Sequence, residues 1–348
     1  MNSAPDRSFG VFNDVDALPD DALALFGSGL FDSRAWYRVV TDNALPAGAK
    51  PVFLVIGTPA TALFPMRAGP GRAAGALTTP YTCLWAPLSH PGATAAELWT
   101  AGRALSTWCK PHGAVRLDAL DLSDPRWPDL RAGIRAGGML PLTFDHFGNW
   151  HTDVTGLDFP AYLAARPGAV RSTLKRRGDR LAADGAALRV ITGGAALPGA
   201  IATYQSVYDR SWKSEEPYPK FNPALMRACA ADGSLRLGLL ERGGTVLAAQ
   251  FWVVRNGTAT VLKLAYDTAE KASSPGTVLT GLMIKHLMTQ ETLTGLDFGR
   301  GDDSYKRDWT GSRRQRSGLV LANPRDPAGL MAIARHAAGR MRALVLAR

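Results

Sequence analysis

Cysteine is scarce: only Cys83, Cys109 and Cys229 occur in 348 residues. They lie far apart and make neither a C-x-x-C pair nor a zinc-ligand spacing. That excludes a disulfide-built scaffold and suits a reducing compartment, with each thiol a small buried hydrophobe. Long apolar runs are missing as well, so no transmembrane helix is expected. Met1 to Asp6 lack the basic patch and apolar stretch of a secretory signal. The expectation is a cytoplasmic protein. Acidic residues are also short: 30 Asp and Glu stand against 40 Lys and Arg, for a net charge of +10. Such a balance favours anionic partners, among them nucleotide cofactors, tRNA, acidic glycans or an anionic membrane face. It is not by itself a nucleic-acid signature, and no DNA partner is expected. Histidine is rare too, and His146 and His151 share no helical face, so no metal site is expected.

What is present is a hydrophobic fraction of 46%, enough for about two domains of ordinary size. The C-terminal half reads clearly. Leu188 to Thr192 is a strand closed by Gly193-Gly194. Leu197 to Lys213 has helical apolar spacing. Asn222-Pro223 opens a second helix, with Asn as cap and Pro at the first helical position. Three strands follow, Leu235 to Leu240, Val246 to Val254 and Thr258 to Ala265, the last two joined by Arg255-Asn256-Gly257, a hairpin signal. Then come a helix over Thr277 to Gln290, a strand over Leu296 to Phe298, a short helix over Ser304 to Trp309 and a strand over Ser317 to Leu321.

The N-terminal half predicts strands at Ser8 to Phe12, Val52 to Ile56, Thr61 to Met66, Thr78 to Trp85, Val115 to Leu120 and Leu140 to Phe147. Helices are expected at Ala35 to Thr41, Thr94 to Lys110 and Leu130 to Ala136. Ser89-His90-Pro91-Gly92 precedes its helix much as Ser273-Ser274-Pro275-Gly276 does. Leu117-Asp118 parallels Leu296-Asp297. These matches suggest an internal duplication with its joint near Trp150 to Thr155.

Two basic clusters stand out: Arg166, Arg171, Lys175, Arg176, Arg177 and Arg180, then Arg300, Lys306, Arg307, Arg313, Arg314 and Arg316. The stretch from Arg171 to Arg180 predicts a helix beginning near Ser172, either an exposed basic face or a grip for phosphates, a glycan or tRNA. Pro327 to Arg348 reads as a cationic amphipathic helix with Leu330, Ile333, Met341 and Leu344 apolar. It can pack on a lobe or bind anionic lipid. Asp297 to Trp309 packs acids, bases and a tyrosine into one post-strand segment, where ligands of open sheets sit.

The segment D-F-G-R-G-D-D-S-Y-K-R-D-W resembles the hallmark of the CelD-like acetyltransferases of cellulose or exopolysaccharide biosynthesis. These are related to the Fem-type transferases, which carry two GNAT lobes. Phe31 to Trp36, Asn149-Trp150, Tyr162-Leu163, Arg166-Pro167 and Arg171 to Leu181 extend the resemblance, and the element order resembles the GNAT fold. The expected fold is therefore α/β (α+β), with two tandem GNAT-like lobes, each a mixed, mainly antiparallel sheet flanked by helices. The expected parts are a degenerate lobe at 1–150, a catalytic lobe at 151–322 and a helical tail at 323–348. The first lobe has Asp118 but no Tyr-Lys pair.

The resemblance implies transfer of an acyl group from acetyl-CoA or another acyl-CoA to an amine, or less readily a hydroxyl, on a small-molecule or glycan precursor. Tyr305 would act as the acid for the departing thiolate. Lys306 would stabilise charge or hold a phosphate, and Asp297 and Asp302 would orient or deprotonate the acceptor. Lys271, Ser274, Gly276 and Thr277 match the pyrophosphate loop of the GNAT pattern, except that Ser274 replaces its first glycine and Pro275 removes a donor. Arg300, Trp212, Tyr218 and Tyr266 are candidates for the acceptor side. Two alternatives stay open: a Fem-type enzyme using aminoacyl-tRNA, and a non-catalytic GNAT-like scaffold.

Overall fold

The computed structural model describes residues 9–346, with side chains up to 342. The expectations for Met1 to Asp6, for Ser8 and for the Leu344 side chain lie outside these residues. The chain forms two compact units. One comprises residues 1–147 with 315–348, the other residues 148–314. The last strand and the tail helix thus group mainly with the first unit.

In the first unit the strands are β1 (Phe9–Phe12), β2 (Lys50–Ile56), β3 (Ala62–Ala68), β4 (Ala74–Ala76), β5 (Leu88–Ser89), β6 (Ala114–Leu120) and the first part of β7 (Leu140–Asp153). Its helices are α1 (Asp20–Leu23), α2 (Arg34–Asn43), α3 (Ala95–Cys109) and α4 (Trp127–Ala136). β1, β2 and β3 form an antiparallel meander, with Phe9 opposite Ile56 and Lys50 opposite Ala68. α3 and α4 meet backbone to backbone: a Cβ on Gly133 would fall 1.9 Å from the Trp99 carbonyl oxygen. No larger residue fits that crossing. Leu105, Phe64 and Leu117 belong to the core beneath them.

One expectation fails here. Thr78 to Trp85 is not a strand. Pro80 has no N–H for a ladder, and the threonines close a turn instead: Thr79 N–H donates to Thr82 Oγ1 and Tyr81 N–H to Thr79 Oγ1. The segment is apolar because it is buried, through Tyr81, Cys83 and Trp85. Ser89 to Gly92 precedes its helix as expected. α3 opens at Ala95, where Thr94 and Glu97 form a capping box.

The second unit holds α5 (Phe159–Ala164), α6 (Gly168–Ala183), β8 (Ala187–Ile191), α7 (Leu197–Asp209), α8 (Phe221–Ala231), β9 (Leu235–Arg242), β10 (Thr245–Arg255), β11 (Thr258–Tyr266), α9 (Pro275–Gln290), β12 (Gly295–Arg300) and α10 (Ser304–Trp309). Strand β13 (Ser312–Ala322) begins in it and ends in the first unit, which also takes α11 (Pro327–Leu346). Within the unit the sheet order is β7-β12-β11-β10-β9-β8. All neighbours are antiparallel except β11 and β12, which run parallel. The architecture is the expected mixed α/β class, a mixed sheet flanked by helices.

α9 is the central helix of this unit. Leu279, Met283 and Leu287 are buried, and its Gly281 admits Leu174 of α6, which a Cβ would meet at 2.5 Å. α6 starts at Gly168, earlier than expected, because Pro167 sets the extended entry and Val170 anchors its first turn in the core. α8 starts at Phe221 rather than after an Asn222 cap. Phe221 is fully buried and fixes the entry, and Pro223 sits in the first turn, where its missing N–H costs nothing. α7 ends at Asp209, which leaves Trp212 in a loop.

Candidate active site

β11 and β12 share only a short parallel ladder, from Thr258 opposite Gly295 to Thr260 opposite Asp297. Beyond it β11 runs on to Tyr266 beside β10, while β12 runs on to Arg300 beside β7. The ladder between them stops, so backbone groups on their facing edges are left for another partner. Lys271 to Thr277 follow β11, and Asp302, Tyr305 and Lys306 follow β12.

After β12 the chain turns through Gly299 and Gly301, both at positive φ. The acids here are closely held. Asp297 Oδ1 accepts from Asn149 Nδ2 and from Gly299 N–H, each at 2.7 Å. Its Oδ2 accepts from Arg314 Nη2 at 2.5 Å, and Arg314 Nε also donates to Asn149 Oδ1. Asp302 is gripped by both arms of Arg313, at 2.6 and 2.7 Å. That pair holds the Asp302 carboxyl below the usual range. Lys306 is buried, with Nζ donating to the Arg300 carbonyl oxygen at 2.5 Å and lying 3.1 Å from Asp303. It braces the turn. Tyr305, next to it, is 40% exposed. Its hydroxyl titrates above the ordinary phenol range, first because surrounding protein desolvates the anion and second because Asp303 repels it.

After β11 a 3₁₀ turn over Thr268–Ser273 leads to Ser274 in the left-handed region, and α9 begins at Pro275. Gly276 is buried beneath Tyr266, whose Cδ1 would lie 2.9 Å from an added Cβ. Tyr266 in turn packs against Trp212, with ring centroids 4.3 Å apart and the rings tilted by 38°. Trp212 itself is 53% exposed. Lys271 is exposed on the same turn. Beside that turn lies a cavity of about 220 Å³ whose polar lining is Arg177, Arg180, Asp184, Arg242, Glu270 and Ser273. Arg242 also donates to Glu270 at 2.8 Å. Two arginines of the basic helix α6 therefore come to the loop whose pattern suggested phosphate binding. Arg242 was not singled out in the sequence, because nothing in a strand end announces that role.

A third group lies on the segment between α7 and α8. Lys213, Glu216 and Tyr208 line a cavity of about 330 Å³ with Tyr204 and Asn222. Glu216 accepts from Lys263 Nζ of β11 at 2.6 Å. Burial, then the nearby charges of Lys263 and Lys306, push the Lys213 ammonium down to about 8. Lys213 is thus close to the residues that flank Tyr305. No motif marks Lys213, Glu216 or Lys263. Only the fold brings the α7–α8 segment to β11 and α10.

Among the described residues no group of three His, Cys, Asp or Glu side chains is placed to hold a metal ion. His146 instead accepts the Ala119 N–H through Nδ1 at 3.0 Å.

Residues 168–307 match the family model described as an acetyltransferase (GNAT) domain. No curated protein sequence matches the chain. Among solved structures, the chain resembles L-PGS from Bacillus licheniformis, at 12% identity and a TM-score of 0.54 over 85% of this chain and 94% of that one. It also resembles FemX, at 9% identity and 0.53 over 82% and 95%. A third is the C-terminal domain of an Agrobacterium fabrum protein named as a lysylphosphatidylglycerol synthetase, at 14% identity and 0.54 over 81% and 87%. At such identities the likeness is one of fold. The family match falls within the second unit.

Proposed function

We propose that this protein is an acyl-CoA-dependent N-acyltransferase whose acceptor is an amine on an envelope or exopolysaccharide precursor. The observation that carries the reading is the interrupted β11–β12 ladder, with an arginine-lined cavity beside the turn after β11 and Tyr305 after β12. Arg177, Arg180 and Arg242 suit the phosphates of a CoA thioester, together with Lys271 and the first-turn amides at Gly276 and Thr277. Ser274 sets the turn between them through its left-handed backbone.

The acceptor nitrogen forms a bond to the thioester carbonyl carbon and the carbon–sulfur bond breaks. Tyr305, kept protonated, gives its proton to the departing sulfur. The proton lost by nitrogen goes to the amine of Lys213, which is neutral in part near pH 8. Asp297 and Asp302 act by position, since both carboxylates are already taken up by arginines. Arg300 and Lys306 hold the turn that presents Tyr305. The exposed Trp212 ring, tilted 38° against Tyr266, offers an apolar face of the kind a sugar ring covers. The CelD-like motif supports the polysaccharide side of this reading.

A second reading has a specific observation behind it. α6 exposes Arg171, Lys175, Arg176, Arg177 and Arg180 along one helix, which suits an RNA backbone as well as a single cofactor. An aminoacyl-tRNA donor would use it, and the lysylphosphatidylglycerol synthetase name belongs to a protein of the same fold.

The test is release of CoA thiol from acetyl-CoA in the presence of amino-sugar acceptors, with and without RNase. Thiol release indifferent to RNase supports the proposal. Transfer that requires aminoacyl-tRNA and stops on RNase treatment overturns it.

A further inference from the structure

The tail helix α11 is fastened at its first turn. Asp326 caps it, with Oδ1 accepting from the Ala328 N–H at 2.9 Å, and is itself held by Arg72 at 2.5 Å. A Cβ on Gly113 would meet Asp326 and Ala328, so this end of the helix sits close on the first unit. From Ala334 onward most described residues are exposed.

The exposed part has an ordered pattern. Leu330, Ala334, Ala337, Ala338 and Met341 fall on one face at helical spacing, and Met331 borders it. Leu330 is 53% exposed, Met331 54% and Met341 62%, values that core-facing positions do not show. Arg335 and Arg342 run along one border of this stripe, and Arg340 lies beyond the other. No Asp or Glu occurs from Pro327 to Arg348. An apolar stripe between cationic borders, without one acid, matches the boundary of a bilayer that carries anionic lipid: the methylenes enter the acyl region and the guanidinium groups stay with the phosphates. A protein partner would need acids placed against each arginine, whereas an anionic leaflet supplies charge wherever they fall. Among the described residues no helix is long and apolar enough to cross a membrane, so the contact is with the surface.

We infer that α11 docks this protein on the surface of an anionic bilayer, through Leu330, Met331 and Met341 with Arg335, Arg340 and Arg342. The inference does not depend on the acyl-transfer reading. Three arginines near such a surface predict on the order of a hundredfold preference for anionic over zwitterionic lipid. The test is co-sedimentation of the full chain with vesicles of phosphatidylcholine alone and of phosphatidylcholine with phosphatidylglycerol. Expected are binding to the mixed vesicles only, weakening with salt, and at least a tenfold loss in the double variant Leu330→Glu, Met341→Glu. Both positions are exposed, so circular dichroism should show the variant folded. A triple Arg335→Gln, Arg340→Gln, Arg342→Gln variant should lose the lipid preference while leaving the stripe intact. No binding to the mixed vesicles, unchanged binding by the variants, or a dimer in solution that the Glu variant dissociates would each overturn the inference.

Discussion

Arg314 holds Asp297 and Asn149 at once, donating from Nη2 to Asp297 Oδ2 and from Nε to Asn149 Oδ1, each at 2.5 Å. Asn149 closes the triangle by donating to Asp297 Oδ1. An aspartate in that state is a structural tie before it is a base. Asp297→Asn should therefore lower stability by about 1.5–3 kcal/mol, the scale of a charge-assisted hydrogen bond in a half-buried site. Thermal unfolding reads this directly. A variant with unchanged melting temperature and abolished turnover would instead make Asp297 a chemical participant.

Tyr305→Phe should cut kcat by roughly 10²- to 10⁴-fold, the usual worth of a positioned acid. Binding of the acyl donor and the melting temperature should stay put, since the ring remains and part of it already faces solvent. The raised phenol also means that no loss of rate due to its ionisation should occur up to the ordinary tyrosine range. Retained turnover in the Phe variant would remove Tyr305 from the reaction.

Lys213 predicts a pH profile. Its ammonium is pushed down to about 8, so the neutral amine accumulates as pH rises through that value, and kcat should rise with it. Lys213→Arg stays charged and should give a low, flat profile. Stability has a defined sign too. In the unfolded chain the lysine titrates at the ordinary 10.5, so between about 8 and 10.5 the unfolded state binds the extra proton. Folding is penalised below about pH 8 and that penalty fades as pH rises to 10.5. Denaturant midpoints in Lys213→Met, compared with the parent across this window, check it: the difference should shrink as pH climbs.

Gly276→Ala should disturb the acceptor side by way of Tyr266. The new Cβ would stand 2.9 Å from the Tyr266 ring, which must move and carry Trp212 with it. A cost of about 1–3 kcal/mol is expected for such overpacking. The readouts are a shift in tryptophan fluorescence and a higher KM for the acceptor. An unchanged spectrum would show that the Trp212–Tyr266 contact does not rest on this glycine.

Much of this arrangement could be read before the structure. The strand-rich core of the second unit, the Asn256-Gly257 hairpin and the short helix at Ser304 came from periodicity and turn residues, which are local signals. The Thr78 to Trp85 segment was misread because a buried loop and a strand look alike in hydrophobicity, and only the Thr79–Thr82 hydrogen bonds separate them. Asn222 was misread because the burial of Phe221, a tertiary fact, decides where α8 begins. At the site, Tyr305 and the acids around it were visible as a motif. That the acids are locked by Arg313 and Arg314 was not, because a run of charges does not say which pairs close. Lys213 and Arg242 carry no motif at all. Their relevance arises from where the α7–α8 segment and the end of β9 meet other parts of the unit.

The most direct measurement is calorimetric titration of the full chain with acetyl-CoA, repeated on an Arg177→Glu, Arg180→Glu variant. These side chains are exposed on α6, so the variant should fold. The account predicts micromolar binding by the parent, about −8 kcal/mol, and its loss in the variant. A folded parent that binds no acyl-CoA, or a variant that binds as well as the parent, would contradict it.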